Sequence, residues 1–364
     1  MKSKFTAIVL SLLFIFSFVS CSAENAEVKD VSGQGYTKDS NTLVVHFIDV
    51  GQGDSEFIEF PNGKTMLIDA GEQDAGEDVV AYLNNLNVSA IDFVVATHPH
   101  SDHIGGLPAV FDAFDIKTIY MPNAVSNSYS FELLLDKIES EGCETIEAKQ
   151  GVSVIDDENI NARFLAPVDD EYDDLNNYSA VLKIIYIEKS FLFMGDAETL
   201  SEKEITDDVS ADVIKVGHHG SKTSSSKSFI NRVMPRYAVF EVGEDNSYGH
   251  PNAEIIERYE NIGAEILRTD ELGTIVLETD GYSFSDITNY VMESAGIAPT
   301  DDAESESSAE DVKYILNTNS KKIHLSDCPS ASNISPQNKK TTNETIEELE
   351  KQGYTCCKSC NPKG

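Results

Sequence analysis

The stretch ATHPHSDHIGG, residues 96–106, places His98, His100, Asp102 and His103 directly after an apolar run. Four ligand-capable side chains packed into one loop at the end of a strand constrain the fold, because an α/β sheet presents its chemistry at strand C-termini. Further short apolar runs read as strands at 43–48, 65–68, 93–96, 181–187, 191–194, 213–216, 238–242 and 274–277. Apolar residues recurring at three and four predict helices over 74–86, 104–114, 128–141, 198–206, 226–233 and 252–262. The two periods interleave, so the class is mixed α/β. Polar residues gather where the strands stop: Asp49 to Asp54, Asp69-Ala-Gly, the histidine loop, Gly195-Asp196-Ala-Glu198 and Gly217-His218-His219-Gly220-Ser221. Five of the eight histidines lie in two of these loops.

Imidazoles two residues apart can converge on one ion, while the Asp-His pair that follows turns toward a second. Two metals roughly 3.5–4 Å apart would polarise a phosphoryl or carbonyl oxygen and activate water at neutral pH. Asp196, in its glycine-flanked turn, is the carboxylate suited to bridge them, and one histidine of GHHGS would close the second site.

The pattern His98-x-His100-x-Asp102-His103, with Asp69 upstream and Asp196 and His218 downstream, resembles the metallo-β-lactamase superfamily. The resemblance runs over about 42–290 and is closer to one branch, the hydrolase domain of the ComEC competence proteins, through DVGQGDS (49–55), LIDAG (67–71), NNYSAVLKI (176–184), MGDAE (194–198), KVGHHGSKTSSS (215–226), NSYGHP (246–251) and RTDELGTIVLETDG (268–281). The resemblance implies a four-layer αβ/βα sandwich with the metals at the edge between two sheets. It also implies roles: His98 and His100 on the first metal, Asp102 and His103 on the second, Asp196 bridging, and His218 completing the second site with His219 as the alternative. Asp69 would orient a ligand histidine. No histidine lies between His103 and His218 to serve as a third ligand of the first metal, so that site is expected to take a carboxylate and water, which leaves both Zn²⁺ and Mn²⁺ open.

Asp69, Asp102, His219 and His250 are the candidate catalytic groups, with His250 able to protonate a leaving alkoxide or to pack as a turn residue. Ser221 and Lys222, beside Thr223, are expected to contact a phosphodiester oxygen or to cap the helix starting near Ser226. Asn177, in the NNYS block, is a further candidate for substrate contact. His46, inside a strand, is expected to be structural.

Residues 1–21 have basic Lys2 and Lys4, an apolar run and then Cys21, the form of a lipoprotein signal with Cys21 as the lipidated residue. A polar tether (22–40), a hydrolase domain (41–296), an acidic linker (297–311) and a small module (312–364) follow. In that module His324, Cys328, Cys357 and Cys360 have spacing suited to one structural Zn²⁺, disulfides being the alternative. It resembles the zinc module of the Ada DNA-repair protein.

With 63 acidic against 27 basic residues, a formal charge of −36, the composition argues against broad electrostatic attraction to nucleic acid or anionic lipid, so a polyanionic substrate must be held locally, by metal ions or a small basic patch. The expected protein is thus an exported two-metal phosphodiesterase, anchored to the cell membrane as a lipoprotein or secreted, acting on DNA or on a small or wall-derived phosphodiester or ester. The contrasting expectation is an adaptor that binds wall or nucleic acid through its zinc module.

Overall fold

The run Leu-Val-Val-His-Phe at 43–47 is buried at every position, which a strand achieves only when both faces of its sheet are covered. The computed structural model describes residues 37–296 and, beyond them, 314–325, 328, 331, 334, 338–342 and 346–357. The signal segment with Cys21, the linker 297–311 and Cys360 lie outside these.

The first half of residues 41–296 runs β1 (Leu43–Phe47), β2 (Glu56–Glu59), β3 (Thr65–Ile68), α1 (Gly76–Asn85), β4 (Ala90–Val95), α2 (Ser101–Ile104), α3 (Leu107–Ala113), β5 (Asp115–Met121), α4 (Tyr129–Glu141) and β6 (Glu144–Glu147). The second runs β7 (Ser153–Asp156), β8 (Ile160–Phe164), β9 (Leu182–Tyr186), β10 (Lys189–Phe193), α5 (Thr199–Glu204), β11 (Val213–Lys215), α6 (Lys227–Val233), β12 (Tyr237–Phe240), α7 (Ala253–Glu260) and β13 (Glu265–Arg268). After α8 (Thr269–Leu272), strands β14 (Ile275–Thr279) and β15 (Phe284–Asp286) and helix α9 (Thr288–Ala295) return to the first half.

Two sheets result, ordered β15-β14-β1-β2-β3-β4-β5-β6 and β13-β12-β11-β10-β9-β8-β7. The first is antiparallel from β15 to β3 and parallel from β3 to β6. The second is parallel from β13 to β10 and antiparallel from β10 to β7. Leu43, Val45 and Phe47 of β1 meet Phe191 and Phe193 of β10 in the core between the sheets. The opposite face of the first sheet packs on Val79 and Leu83 of α1, Val110 of α3, Leu134 of α4 and Val291 of α9. The outer face of the second packs on Phe229 and Ile230 of α6 and Ile255 and Tyr259 of α7. The order of layers is helix, sheet, sheet, helix, the αβ/βα sandwich expected.

Helix starts follow from caps. The side chains of Ser128, Ser226 and Asn252 accept backbone N–H bonds at the first turns of α4, α6 and α7. The four edge strands, β15, β6, β13 and β7, have no counterpart in the sequence-based strands. Edge strands carry charge instead of a continuous apolar run, as Glu144-Thr-Ile-Glu147 does with only Ile146 even half-buried. His46 is buried and bonds Tyr82 Oη at 2.8 Å, a structural role. Among the described residues no helix is long and apolar enough to cross a membrane.

In the C-terminal module, β16 (Tyr314–Asn317), β17 (Lys322–Leu325), β18 (Lys339–Thr342) and β19 (Thr355–Cys356), with α10 (Ile346–Lys351), form a sheet ordered β18-β16-β17-β19. Tyr314, Leu316, Ile323, Leu349 and Tyr354 make its small core.

Phe47 and Phe193 stack across the inter-sheet core with centroids 6.2 Å apart. Phe47→Ala is expected to cost about 3–5 kcal/mol through lost burial and an unfilled cavity. A urea midpoint shifted down at constant slope would show this, and a loss below about 1 kcal/mol would mean that the sheets do not depend on this contact.

Candidate metal centre

The loops after β1, β3, β4, β10, β11 and β12 meet at one edge of the two sheets. Backbone contacts lock three of them together. Asp54 N–H donates to Asp102 C=O at 3.3 Å, Ala70 N–H to His103 C=O at 2.8 Å and Gly71 N–H to Asp54 C=O at 2.9 Å. The approach is close enough to require glycine twice. A Cβ on Gly53 would lie 2.3 Å from Asp102 O, and one on Gly106 would lie 2.1 Å from Ala70 O.

Within this frame the buried Asp69 carboxylate accepts three hydrogen bonds: from Thr97 N–H at 2.9 Å, from the Thr97 hydroxyl at 2.6 Å and from His103 Nδ1 at 2.8 Å. The Thr97 hydroxyl gives its proton to Asp69, so it receives the His98 Nδ1 proton at 3.1 Å. His219 Nδ1 lies 2.9 Å from the carbonyl of Glu241, which can only accept. In His98, His103 and His219 Nδ1 therefore carries a proton, which leaves Nε2 facing inward as the ligand atom.

The three Nε2 atoms converge on Asp196. Its Oδ1 lies 3.3 Å from His103 Nε2 and 3.4 Å from His219 Nε2. Its Oδ2 lies 3.6 Å from His218 Nε2 and 3.9 Å from His98 Nε2. Asp102 Oδ2 approaches His219 Nε2 at 3.5 Å and His103 Nε2 at 3.9 Å. His98 Nε2 and His100 Nδ1 come within 3.0 Å. Asp102, His103, Asp196 and His219 each offer one atom within 4.8 Å of the others. Yet His103 Nε2, His219 Nε2 and Asp196 Oδ1 are buried without a hydrogen-bond partner among the described residues. Atoms this close that do not bond one another face a common centre, which suits a divalent cation.

Electrostatics point the same way. Burial opposes a charged His219, but Asp196 and Asp54 outweigh it and lift the ring to about 10. His103 is likewise raised, against burial, by Asp196, Asp54 and Asp102. The Asp196 carboxyl is held well below the usual range, burial being outweighed by His219 and His103. The carboxylates thus demand positive charge among them, from protons or from cations. Behind the histidines the buried Lys215 ammonium pairs closely with Asp54, whose Oδ1 lies 3.1 Å from His219 Nδ1.

Several sequence-based assignments change. His219, not His218, joins Asp102 and His103, because two successive left-handed residues turn the rings apart: His218 at φ 50° and His219 at φ 51°. Such backbone costs about 1–3 kcal/mol per residue and is kept where function needs it. His218 faces the other oxygen of Asp196, on the side of His98. Asn177 is buried and accepts Ser201 N–H at 3.3 Å, while Asn176 lines the cavity with its Oδ1 unpartnered among the described residues. Ser179, from the same block, takes Asp196 N–H at 3.0 Å and lies 3.5 Å from His98 Nδ1. Ser221 and Lys222 do not line the cavity. Ser221 Oγ meets Thr223 Oγ1 at 3.0 Å, which meets His218 Nδ1 at 3.0 Å, so these hydroxyls orient His218. Burial, then His219 and His218, push His250 down to about 4, so at neutral pH it must gain a proton before it can deliver one.

The cavity over the cluster holds about 270 Å³ and is lined by Gln52, His100, Ser101, Asp102, Asn176, Asp196, His218, His219, Tyr248 and His250. Gln52, Asn176, Tyr248 and the inner Lys215 lie inside the blocks 49–55, 176–184, 246–251 and 215–226 that the sequence reading singled out, but it gave none of them a role. In the C-terminal module His324, Cys328 and Cys357 are buried with ligand atoms within 4.8 Å. No disulfide joins Cys143, Cys328, Cys356 and Cys357 to one another.

The profile of the Metallo-beta-lactamase superfamily matches residues 48–240. ComE operon protein 3 of Bacillus subtilis (strain 168) is 30% identical over 251 residues, covering 64% of this chain and 32% of that protein. Competence protein ComA of Neisseria gonorrhoeae is 30% identical over 240 residues, covering 65% of this chain and 32% of that protein. The chain spans about a third of the length of these curated relatives.

Asp69 holds His103 without facing Asp196. Asp69→Asn is therefore expected to weaken divalent-metal affinity about 10–100-fold, read by competition with a chromogenic chelator. Unchanged affinity in a folded variant would show that the His103 orientation does not depend on this bond.

Proposed function

The chain belongs to the metallo-β-lactamase superfamily, and on that premise we propose that it is a two-metal phosphodiesterase whose substrate is DNA. The observation that carries the reading is the Asp196 carboxylate set between two histidine pairs, His103 and His219 at Oδ1 and His98 and His218 at Oδ2. His98, His100, His218 and Asp196 would hold one cation, and Asp102, His103, His219 and Asp196 the other. Divalent cations held there supply Lewis-acid polarisation of a phosphoryl oxygen and lower the pKa of water. The protein's own contributions are a fixed tautomer on His98, His103 and His219, a carboxylate kept ionised at Asp196, and a cavity open to a substrate. Neutral imidazoles with Nδ1 engaged and carboxylate oxygens suit Zn²⁺ and Mn²⁺ alike.

DNA as substrate is supported by the similarity to competence proteins, and a membrane-anchored location by the form of residues 1–21 with Cys21. In the C-terminal module His324, Cys328 and Cys357, joined by Cys360, would hold a structural Zn²⁺. Burial and Lys322 keep His324 below its ordinary range, the neutral form a ligand needs.

The test is hydrolysis of linear and circular DNA by the chain after chelation and return of Mn²⁺ or Zn²⁺, beside an Asp102→Ala, His103→Ala double variant. DNA cleavage restored by metal and lost in the variant is expected. Turnover of glycerophosphocholine without DNA cleavage would transfer the site to small phosphodiesters, and silence on both would overturn the reading.

The zinc module predicts a further metal equivalent that is insensitive to the double substitution. Cys328→Ser should release it, measured by elemental analysis, and make residues 312–364 sensitive to protease. Equal zinc in that variant would count against the site.

A further inference from the structure

Tyr248 is 70% exposed at the mouth of the metal cavity. A lone exposed aromatic on a surface needs no explanation, but this one is part of a series. Its ring lies 5.9 Å from that of His250 with planes 23° apart, and His250 lies 6.3 Å from His219 with planes 27° apart. Three near-parallel rings thus lead from solvent to the histidine beside Asp196 and Asp102. The loop carrying Tyr248 and His250 is pinned rather than loose. Asn246 Nδ2 donates to Gly243 C=O at 2.9 Å and also to His250 C=O, and His250 N–H donates to Asn246 Oδ1 at 3.0 Å. The outer face of Tyr248 is a flat, preorganised and uncharged surface.

The second observation is what the cavity lacks. Among the described residues that line it none is Lys or Arg, and the chain carries a formal charge of −36. The usual source of affinity for a nucleic acid, neutralisation of its phosphates by basic side chains, is missing from this wall. Stacking of a base on an aromatic ring needs no charge and contributes about 1–3 kcal/mol per base. It is open only to a base that is not already stacked in a duplex.

The geometry points to Tyr248 as a specificity-determining residue, a platform for an unpaired nucleobase next to the scissile phosphodiester. The substrate class is then single-stranded nucleic acid or a nucleotide phosphodiester, as opposed to ring-free diesters of the wall or of lipid headgroups. This inference rests on the phosphodiesterase reading and deepens it.

The experiment compares the full chain loaded with Mn²⁺, as wild type, Tyr248→Phe and Tyr248→Ala, on an oligothymidylate and on an abasic oligomer of the same length. Glycerophosphocholine, followed by phosphorus NMR, is the ring-free control. Wild type is expected to favour the oligothymidylate by roughly 10-fold or more in kcat/KM. Tyr248→Phe should keep that ratio, and Tyr248→Ala should bring it close to one, mainly through KM, with metal content and melting temperature as in wild type. A wild type that does not discriminate, a Tyr248→Ala enzyme that still does, or turnover of glycerophosphocholine alone would overturn the platform while leaving a phosphodiesterase. Failure on all three substrates would remove the phosphodiesterase reading, and this inference with it.

Discussion

A carboxylate that stays ionised at 2% exposure must be surrounded by positive charge, and Asp196 is that carboxylate here. The rest of the site is arranged around it. Its two oxygens face two histidine pairs, its N–H is held by Ser179, and the histidines have their outer nitrogens fixed by Asp69, Thr97 and Glu241. Each element at this edge of the sandwich supplies either a group facing Asp196 or a group that aims one.

This dependence explains why so much backbone around the site is unusual. Asp69, His218 and His219 all adopt left-handed conformations that side chains disfavour. Gly53 and Gly106 are pressed against the histidine loop at distances no Cβ would allow. Such features destabilise a fold locally and persist because the two sheets and three cores over-determine the positions of the loop ends. The inner Lys215–Asp54 pair works in the same sense: a buried ammonium balances a carboxylate that would otherwise lie uncompensated beside His103 and His219.

Much of this was legible in the chain. Central strands buried on both faces appear as uninterrupted apolar runs, and 65–68 and 213–216 agree with β3 and β11 to within a residue, whereas the interior strands β5 and β8 were missed because charged or polar residues such as Lys117 and Arg163 interrupt them. Helices that begin at Ser128, Ser226 and Asn252 announce themselves by their caps. The loops of chemical interest were visible because polar residues cluster where those apolar runs end. The edge strands were not visible, since a strand with one solvated side needs no apolar run, and β2, with Glu56 buried beside Phe57, breaks the alternation that a pattern search relies on.

The amino-acid sequence by itself determined the class of fold, the loops that bear the chemistry and the kinds of ligand they offer, because these follow from residue type, local periodicity and order along the chain. Only the tertiary structure decided which ring faces which oxygen. His218 and His219 are adjacent and identical in chemistry, and Asn176 and Asn177 likewise; what separates them is a backbone turn and the contacts around it. A left-handed pair sends one histidine toward Asp102 and the other toward the side of His98, and a bond to Ser201 withdraws Asn177 while Asn176 stays in the cavity. Direction of a side chain is set by dihedral angles and by neighbours distant in sequence, and neither is written in the spacing of residues.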